Sequence, residues 1–289
     1  MQRAVPVVLM AVALLLTGAL AALVGTVVRG AAPVATSAAH LPPSGTTARG
    51  DLEASPRHAE FVDVEVPGSA APNRTWVVYP ERSRAPIVMI GHDLYGLSDW
   101  VRSVADAFAA EGFIAVAPDL LSGVTPAGSA HPFLVGETRV VPSVTMIGPR
   151  ERTSRLDAVR SWALGLPASS GRLGMVGFSW GASAGFAYAV DQPELDALVV
   201  FYGDAPETES DYARINAPVL GLYGGDLPTA ATVPRATAAM NAAGKAFETI
   251  VYDGATAFLK AQHGLDANRR ATEDAWLRTL AFLRRHLTD

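Results

Sequence analysis

The stretch GRLGMVGFSWGASAGFAYAV, residues 171–190, decides the fold. Its first half is an apolar run of the kind that forms a strand covered on both faces. Its second half is rich in small residues and suits a closely packed helix. Between them stands Gly177-Phe178-Ser179-Trp180-Gly181, a G-x-S-x-G sequence. The spacing has a mechanical meaning. A turn this tight holds its central residue in a strained backbone conformation. Small residues two positions to either side let strand and helix pack without collision. Ser179 Oγ is then held above a sheet, with a helix N-terminus behind it that favours developing negative charge. The Trp180 N–H becomes available to an oxyanion. Gly and Ser are common, so G-x-S-x-G alone says little; the strand before it and the helix after it give it force. The competing reading is an ordinary strand-to-helix turn with a capping serine.

Working outward, strand and helix patterns alternate. EFVDVEV (60–66) alternates apolar and polar residues, as a half-buried edge strand does. RTWVVYP (74–80), APIVMIGH (85–92), FIAVAPDL (113–120), ALVVFYG (197–203), APVLGLYGG (217–225) and AFETIVYDG (246–254) complete the strands. Helices are expected from Ser98 as N-cap to Gly112, around Leu156, Val159 and Trp162, from Gly181, near 230–243, and over about 272–287 with Trp276, Leu280 and Phe282 inward. Residues 121–147 read as a long loop containing His131. This alternation implies a mostly parallel central sheet with helices on both faces, and a site at the carboxyl ends of its strands. The loop leaving strand 85–90 is GHDLYGLSDW (91–100), so the Leu94 N–H is the candidate partner of Trp180 in an oxyanion hole. His92 in that loop reads as a structural hydrogen-bonding residue.

The 289 residues are 49% hydrophobic, with net charge −5, which is globular composition. The mild acidity gives no reason to expect a nucleic-acid partner. There is no cysteine, which excludes disulfides, thiol catalysis and cysteine-held zinc. Ala4 to Val28 is an uncharged apolar run. As a helix it would reach roughly 37 Å, enough to cross a bilayer. It reads either as an uncleaved transmembrane anchor or as a signal peptide, with Ser37-Ala38-Ala39 as a cleavage site. Both export the chain, to a secreted, periplasmic or cell-envelope location. The expected organisation is 1–29 signal or anchor, 30–55 flexible linker, and 56–289 one α/β domain.

From about 58 to 289 the chain resembles the dienelactone hydrolase family of carboxymethylenebutenolidase-like enzymes. The stretches that carry the likeness are GHDLYGLSDWVRSVADAFAAEGFIAVAPDLLSG, GMVGFSWG, VVFYG, APVLGLYGGD and YDGAT…AF. The resemblance implies an α/β-hydrolase fold without a large lid domain. It also implies hydrolysis of small esters or lactones by a nucleophile–Asp–His triad, and no metal or organic cofactor. Carried over position by position, the nucleophile is Ser179 where the family usually has cysteine. Asp93 stands where a glutamate usually follows the loop histidine. Asp226 is the carboxylate that would orient the base. The family pattern Tyr-x-Gly-Ala-x-His-Ala-Phe is here Tyr252-Asp253-Gly254-Ala255-Thr256-Ala257-Phe258, without the histidine.

Of six histidines, only His263 lies between the last strand and the last helix, where the order Ser…Asp…His puts the base. Phe258 and Leu259 are expected to anchor the loop before it. Two readings follow. One is an exported serine hydrolase of small esters or lactones, with Ser179, Asp226 and His263 as its triad, acting through an acyl-enzyme. The other is a catalytically impaired or silent hydrolase fold that binds a small ligand or a partner. Arg139, Arg150, Arg152 and Arg155 would suit an anionic substrate, although clustered arginines more often form a solvated face.

Overall fold

The computed structural model describes residues 41–124 and 146–288. In chain order the elements are α1 (Ala48–Ala54), β1 (Ala59–Val64), β2 (Asn73–Val78), β3 (Ala85–Gly91), α2 (Asp99–Ala110), β4 (Ile114–Pro118), α3 (Pro149–Leu164), β5 (Ser169–Phe178), α4 (Trp180–Asp191), β6 (Ala197–Phe201), α5 (Glu209–Arg214), β7 (Val219–Gly224), a 3-10 turn (Pro228–Thr232), α6 (Val233–Ala242), β8 (Phe247–Tyr252) and α7 (Asp266–Leu287). The strands form one sheet in the order β1-β2-β4-β3-β5-β6-β7-β8. Only β2 runs against its neighbours. This is the mostly parallel, two-faced sheet of the α/β-hydrolase fold.

Alternation of side chains across the strands separates two cores. Val88, Ile90, Val176, Phe178, Val199 and Phe201 pack with Trp100 and Phe108 of α2 and Trp276 and Leu283 of α7. The intervening Ile87, Met89, Met175, Leu198 and Val200 pack with Leu156 and Val159 of α3, Phe186 of α4 and Met240 of α6. Strands covered on both faces have no polar side to show, which is why they read as continuous apolar runs. Ser98 caps α2, its side chain accepting from the Val101 N–H.

The expected linker is ordered from residue 41 onward. The Pro42 carbonyl accepts from Gln262 Nε2 at 2.8 Å, and that of Pro43 from Trp100 Nε1 at 3.0 Å. The Gly45 N–H donates to the Lys260 carbonyl at 2.8 Å. Ala48 of α1 is buried in the core beside α2. The stretch lacks apolar periodicity because it is held by backbone carbonyls rather than by a hydrophobic face. The terminal helix also begins earlier than its apolar residues suggest. Its first turns bury Asn268 and Thr272, which are polar and invisible to a hydrophobic pattern.

The transmembrane expectation requires correction. No helix among the described residues is long and apolar enough to cross a membrane. The run from residue 4 to 28 that suggested membrane anchorage lies outside the described residues, as do His40, His131 and Arg139.

Candidate active site

The turn at Ser179 has the strained geometry that its spacing demands. Ser179 sits at φ 51°, ψ −115°, between the end of β5 and the start of α4. Positive φ is rare for a residue with a side chain and persists only where the surroundings impose it. The surroundings do so here. The Ser179 N–H donates to the Phe201 carbonyl at 2.9 Å, and its own carbonyl accepts from Ala182 and Ser183 at 3.0 and 3.1 Å. A Cβ on Gly177 would lie 2.5 Å from Ala182 Cα. A Cβ on Gly181 would overlap the carbonyls of Gly91 and His92. Both glycines are therefore fixed by contact. Ser179 remains partly exposed.

Register brings the second loop alongside. Gly91 at the end of β3 pairs with Gly177 at the end of β5. The chain then turns through His92, Asp93 and Leu94. Leu94 and Trp180 pack against the same two buried residues, Leu121 and Ile147. Trp180 opens α4, where first-turn N–H groups have no intrahelical acceptor. The residues of both expected oxyanion donors thus pack against one small apolar cluster.

The other side chains of the loop are engaged. His92 is fully buried, and its Nδ1 lies 2.8 Å from the Asp93 carbonyl. A carbonyl can only accept, so Nδ1 carries the proton. Nε2 is sealed from solvent without a partner among the described residues, and the ring stacks on Trp180 at 5.3 Å. Asp93 accepts from the Tyr95 N–H through one oxygen and from Lys260 Nζ through the other, each at 2.9 Å. Burial, and secondarily the Asp93 charge, push the Tyr202 phenol well above its ordinary range. Tyr202 has φ 46°, and follows Phe201, which pairs with Phe178 in the sheet.

The expected acid and base are both exposed. Asp226 follows β7 and is exposed; its backbone N–H donates to the Ala255 carbonyl at 3.2 Å, and its carboxylate makes no hydrogen bond among the described residues. His263 is exposed in the turn ahead of α7. Among the described residues no hydrogen bond joins Ser179, Asp226 and His263. The reason lies in the segment between β8 and α7. Phe258 and Leu259 are fully buried. The Thr256 N–H donates to Asn268 Oδ1 at 2.9 Å, and the Phe258 carbonyl accepts from Thr272 Oγ1 at 2.9 Å. His263 comes after this pinned stretch.

Lys260, which no sequence pattern announced, and Arg152, one of four arginines singled out together, each acquire a place. Lys260 holds Asp93 and lies 3.6 Å from the centre of the Tyr95 ring. Arg152 stands over the Trp180 indole, its guanidinium carbon 5.6 Å from the ring centre.

Comparison with known proteins gives the same direction. The sequence model of the Dienelactone hydrolase family matches residues 74–287. A protein of Escherichia coli strain K12 named "Putative carboxymethylenebutenolidase" is 30% identical over 213 residues, covering 70% of this chain and 77% of that one. A Bradyrhizobium protein named "Probable 2-oxo-3-(5-oxofuran-2-ylidene)propanoate lactonase" is 28% identical over 218 residues, covering 71% and 85%. A solved structure described as a "Putative Dienelactone Hydrolase" from Klebsiella pneumoniae superposes with TM-score 0.65 at 25% identity, covering 78% of this chain and 98% of that one.

Proposed function

Because the chain belongs to the dienelactone hydrolase family, a family of hydrolases of small esters and lactones, we propose that it keeps an acyl-binding site at Ser179 but turns substrate over slowly, for want of a positioned base. What supports this reading is a strained serine turn with no hydrogen bond among the described residues joining Ser179, Asp226 and His263. Ser179 is strained, partly exposed and flanked by glycines that admit no side chain. The bonds of the described histidines lead elsewhere: His92 to the Asp93 carbonyl, His58 toward Glu60, and His286 to Arg285.

The chemistry follows. An ester or lactone carbonyl set against Ser179 Oγ would turn its oxygen toward the N–H groups of Trp180 and Leu94. As the carbon–oxygen bond forms, the serine proton must leave. Without an imidazole it passes to water, a poor base at neutral pH. Serine feels this loss more than cysteine would, because its hydroxyl is far less acidic. Removing a triad member from comparable machinery leaves only about 10³–10⁴-fold acceleration over water. Activated lactones are the acyl donors such a site could still open.

The test is hydrolysis of p-nitrophenyl acetate by the full-length chain. Turnover is expected near the buffer rate. Inserting a histidine between Thr256 and Ala257 is expected to raise it by about 10²-fold or more. Ordinary esterase turnover in the unaltered protein, abolished in Ser179→Ala, would overturn the proposal. It would favour the second reading, a working serine esterase in which His263, oriented by Asp226, serves as base. That reading draws on the position of His263 between β8 and α7 and on its freedom from other bonds. Loss of activity in His263→Ala would establish it.

A further inference from the structure

His92 is fully buried, yet half of its hydrogen-bonding capacity goes unused. Nδ1 donates to the Asp93 carbonyl at 2.8 Å, while Nε2 has no partner among the described residues. A buried acceptor left unmatched is unfavourable. A side chain with an apolar tip would fill the same space without that cost. Packing alone therefore does not account for an imidazole at this position.

What the ring does follows from the peptide it holds. No peptide bond among the described residues is cis. The Asp93 carbonyl and the Leu94 N–H belong to one planar trans unit and point opposite ways. Fixing the carbonyl to the imidazole therefore aims the Leu94 N–H away from the ring. That N–H donates to no acceptor among the described residues. The same carbonyl also accepts from the Gly96 N–H at 3.2 Å, and Asp93 Oδ1 accepts from the Tyr95 N–H at 2.9 Å. These two bonds close the turn 93–96 on itself, so they fix its shape but not its tilt. The tilt comes from His92. Its ring lies on the Trp180 indole, with centroids 5.3 Å and planes 25° apart. Its backbone is pressed against α4 as well, since a Cβ on Gly181 would lie 2.4 Å from the His92 carbonyl.

From this geometry we infer that His92 is a positioning residue of the oxyanion hole. Through one N–H···O bond and one ring stack it sets the Leu94 N–H relative to the Trp180 N–H. It acts through Leu94, not on the proton of Ser179. The inference rests on the reading of Ser179 as the acyl site. It adds to that reading how one donor is aimed, and it gives the loop histidine a role distinct from that of a base. Aim matters because a donor stabilises developing charge only when it is held in place beforehand.

The test avoids turnover, since the chain is read as slow. It is the rate, followed over hours, at which a fluorophosphonate labels Ser179 in the full-length chain. The phosphoryl oxygen of the probe enters the same hole. His92→Phe keeps a ring against Trp180 and loses the donor. His92→Asn loses the ring and keeps an N–H near the place of Nδ1. Labelling is expected to slow at least about tenfold in His92→Phe, short of the roughly 10²–10³ that follows outright removal of a donor. His92→Asn should restore most of the rate. Urea unfolding checks that each variant is folded. Should His92→Phe not fold, His92→Leu against His92→Asn makes the same comparison, because these two share a shape and differ in the donor. An undiminished rate without the donor, or His92→Asn as slow as the variant lacking it, sinks the role of His92 alone. Failure of the unaltered protein to label sinks the reading of Ser179, and this inference with it.

Discussion

At Ser179 one backbone angle carries opposing consequences for stability and chemistry. A residue with a side chain at φ 51° is strained, and glycine is not. Ser179→Gly is therefore expected to stabilise the fold by about 1 kcal/mol, after the entropic cost of glycine in the unfolded chain. It should also abolish fluorophosphonate labelling. Urea unfolding and the label measure the two effects on one sample. Gly181→Ala should do the reverse, losing at least about 3 kcal/mol, because its new methyl group meets the carbonyls of Gly91 and His92. This much was legible in the sequence, since the spacing of G-x-S-x-G is itself a statement about contacts. Arg152 was not. Arginines at 150, 152 and 155 look alike on paper, and only the placing of α3 against Trp180 and Leu120 tells them apart.

Among the elements, the segment joining β8 to α7 decides the base. Five strands, β3 to β7, announced themselves as apolar runs because both faces of each are covered. The start of α7 did not, since Asn268 and Thr272 face inward to hold the loop rather than to fill a core. The loop also sends Lys260 to Asp93, across 167 positions of chain. Asp93 is 7% exposed, so removing its counter-charge leaves a carboxylate with one backbone donor. Lys260→Met is expected to cost about 2–3 kcal/mol of unfolding free energy. Lys245→Met, whose ammonium meets Asn216 on the surface, should cost less than about 0.5 kcal/mol. Chemical denaturation of the two variants makes the comparison. At this level the expected triad shows no hydrogen bond joining its members among the described residues. Chain order put a histidine in the right interval, and the anchor expected at Phe258 and Leu259 lies buried ahead of it.

For the molecule as a whole, the mostly parallel sheet with helices on both faces follows from alternation along the chain, and the family likeness agrees with it. The unexpected part is residues 41–54, which composition marked as linker. Variants beginning at 41 and at 56 isolate their contribution. The shorter one loses acceptors for Trp100 and Gln262 and the burial of Ala48. It is expected to be about 2–4 kcal/mol less stable. It should also show faster amide exchange over 255–262, as mass spectrometry can follow. The same lacing sets a route for tension. A pull on the chain ahead of residue 42 reaches the rest of the fold first through Pro42, Pro43 and Gly45, and so arrives at Gln262, Trp100 and Lys260 before it reaches any strand. Through Lys260 that tug ends on Asp93, the residue next to Leu94, so tension entering at Pro42 would be felt in the loop that follows β3.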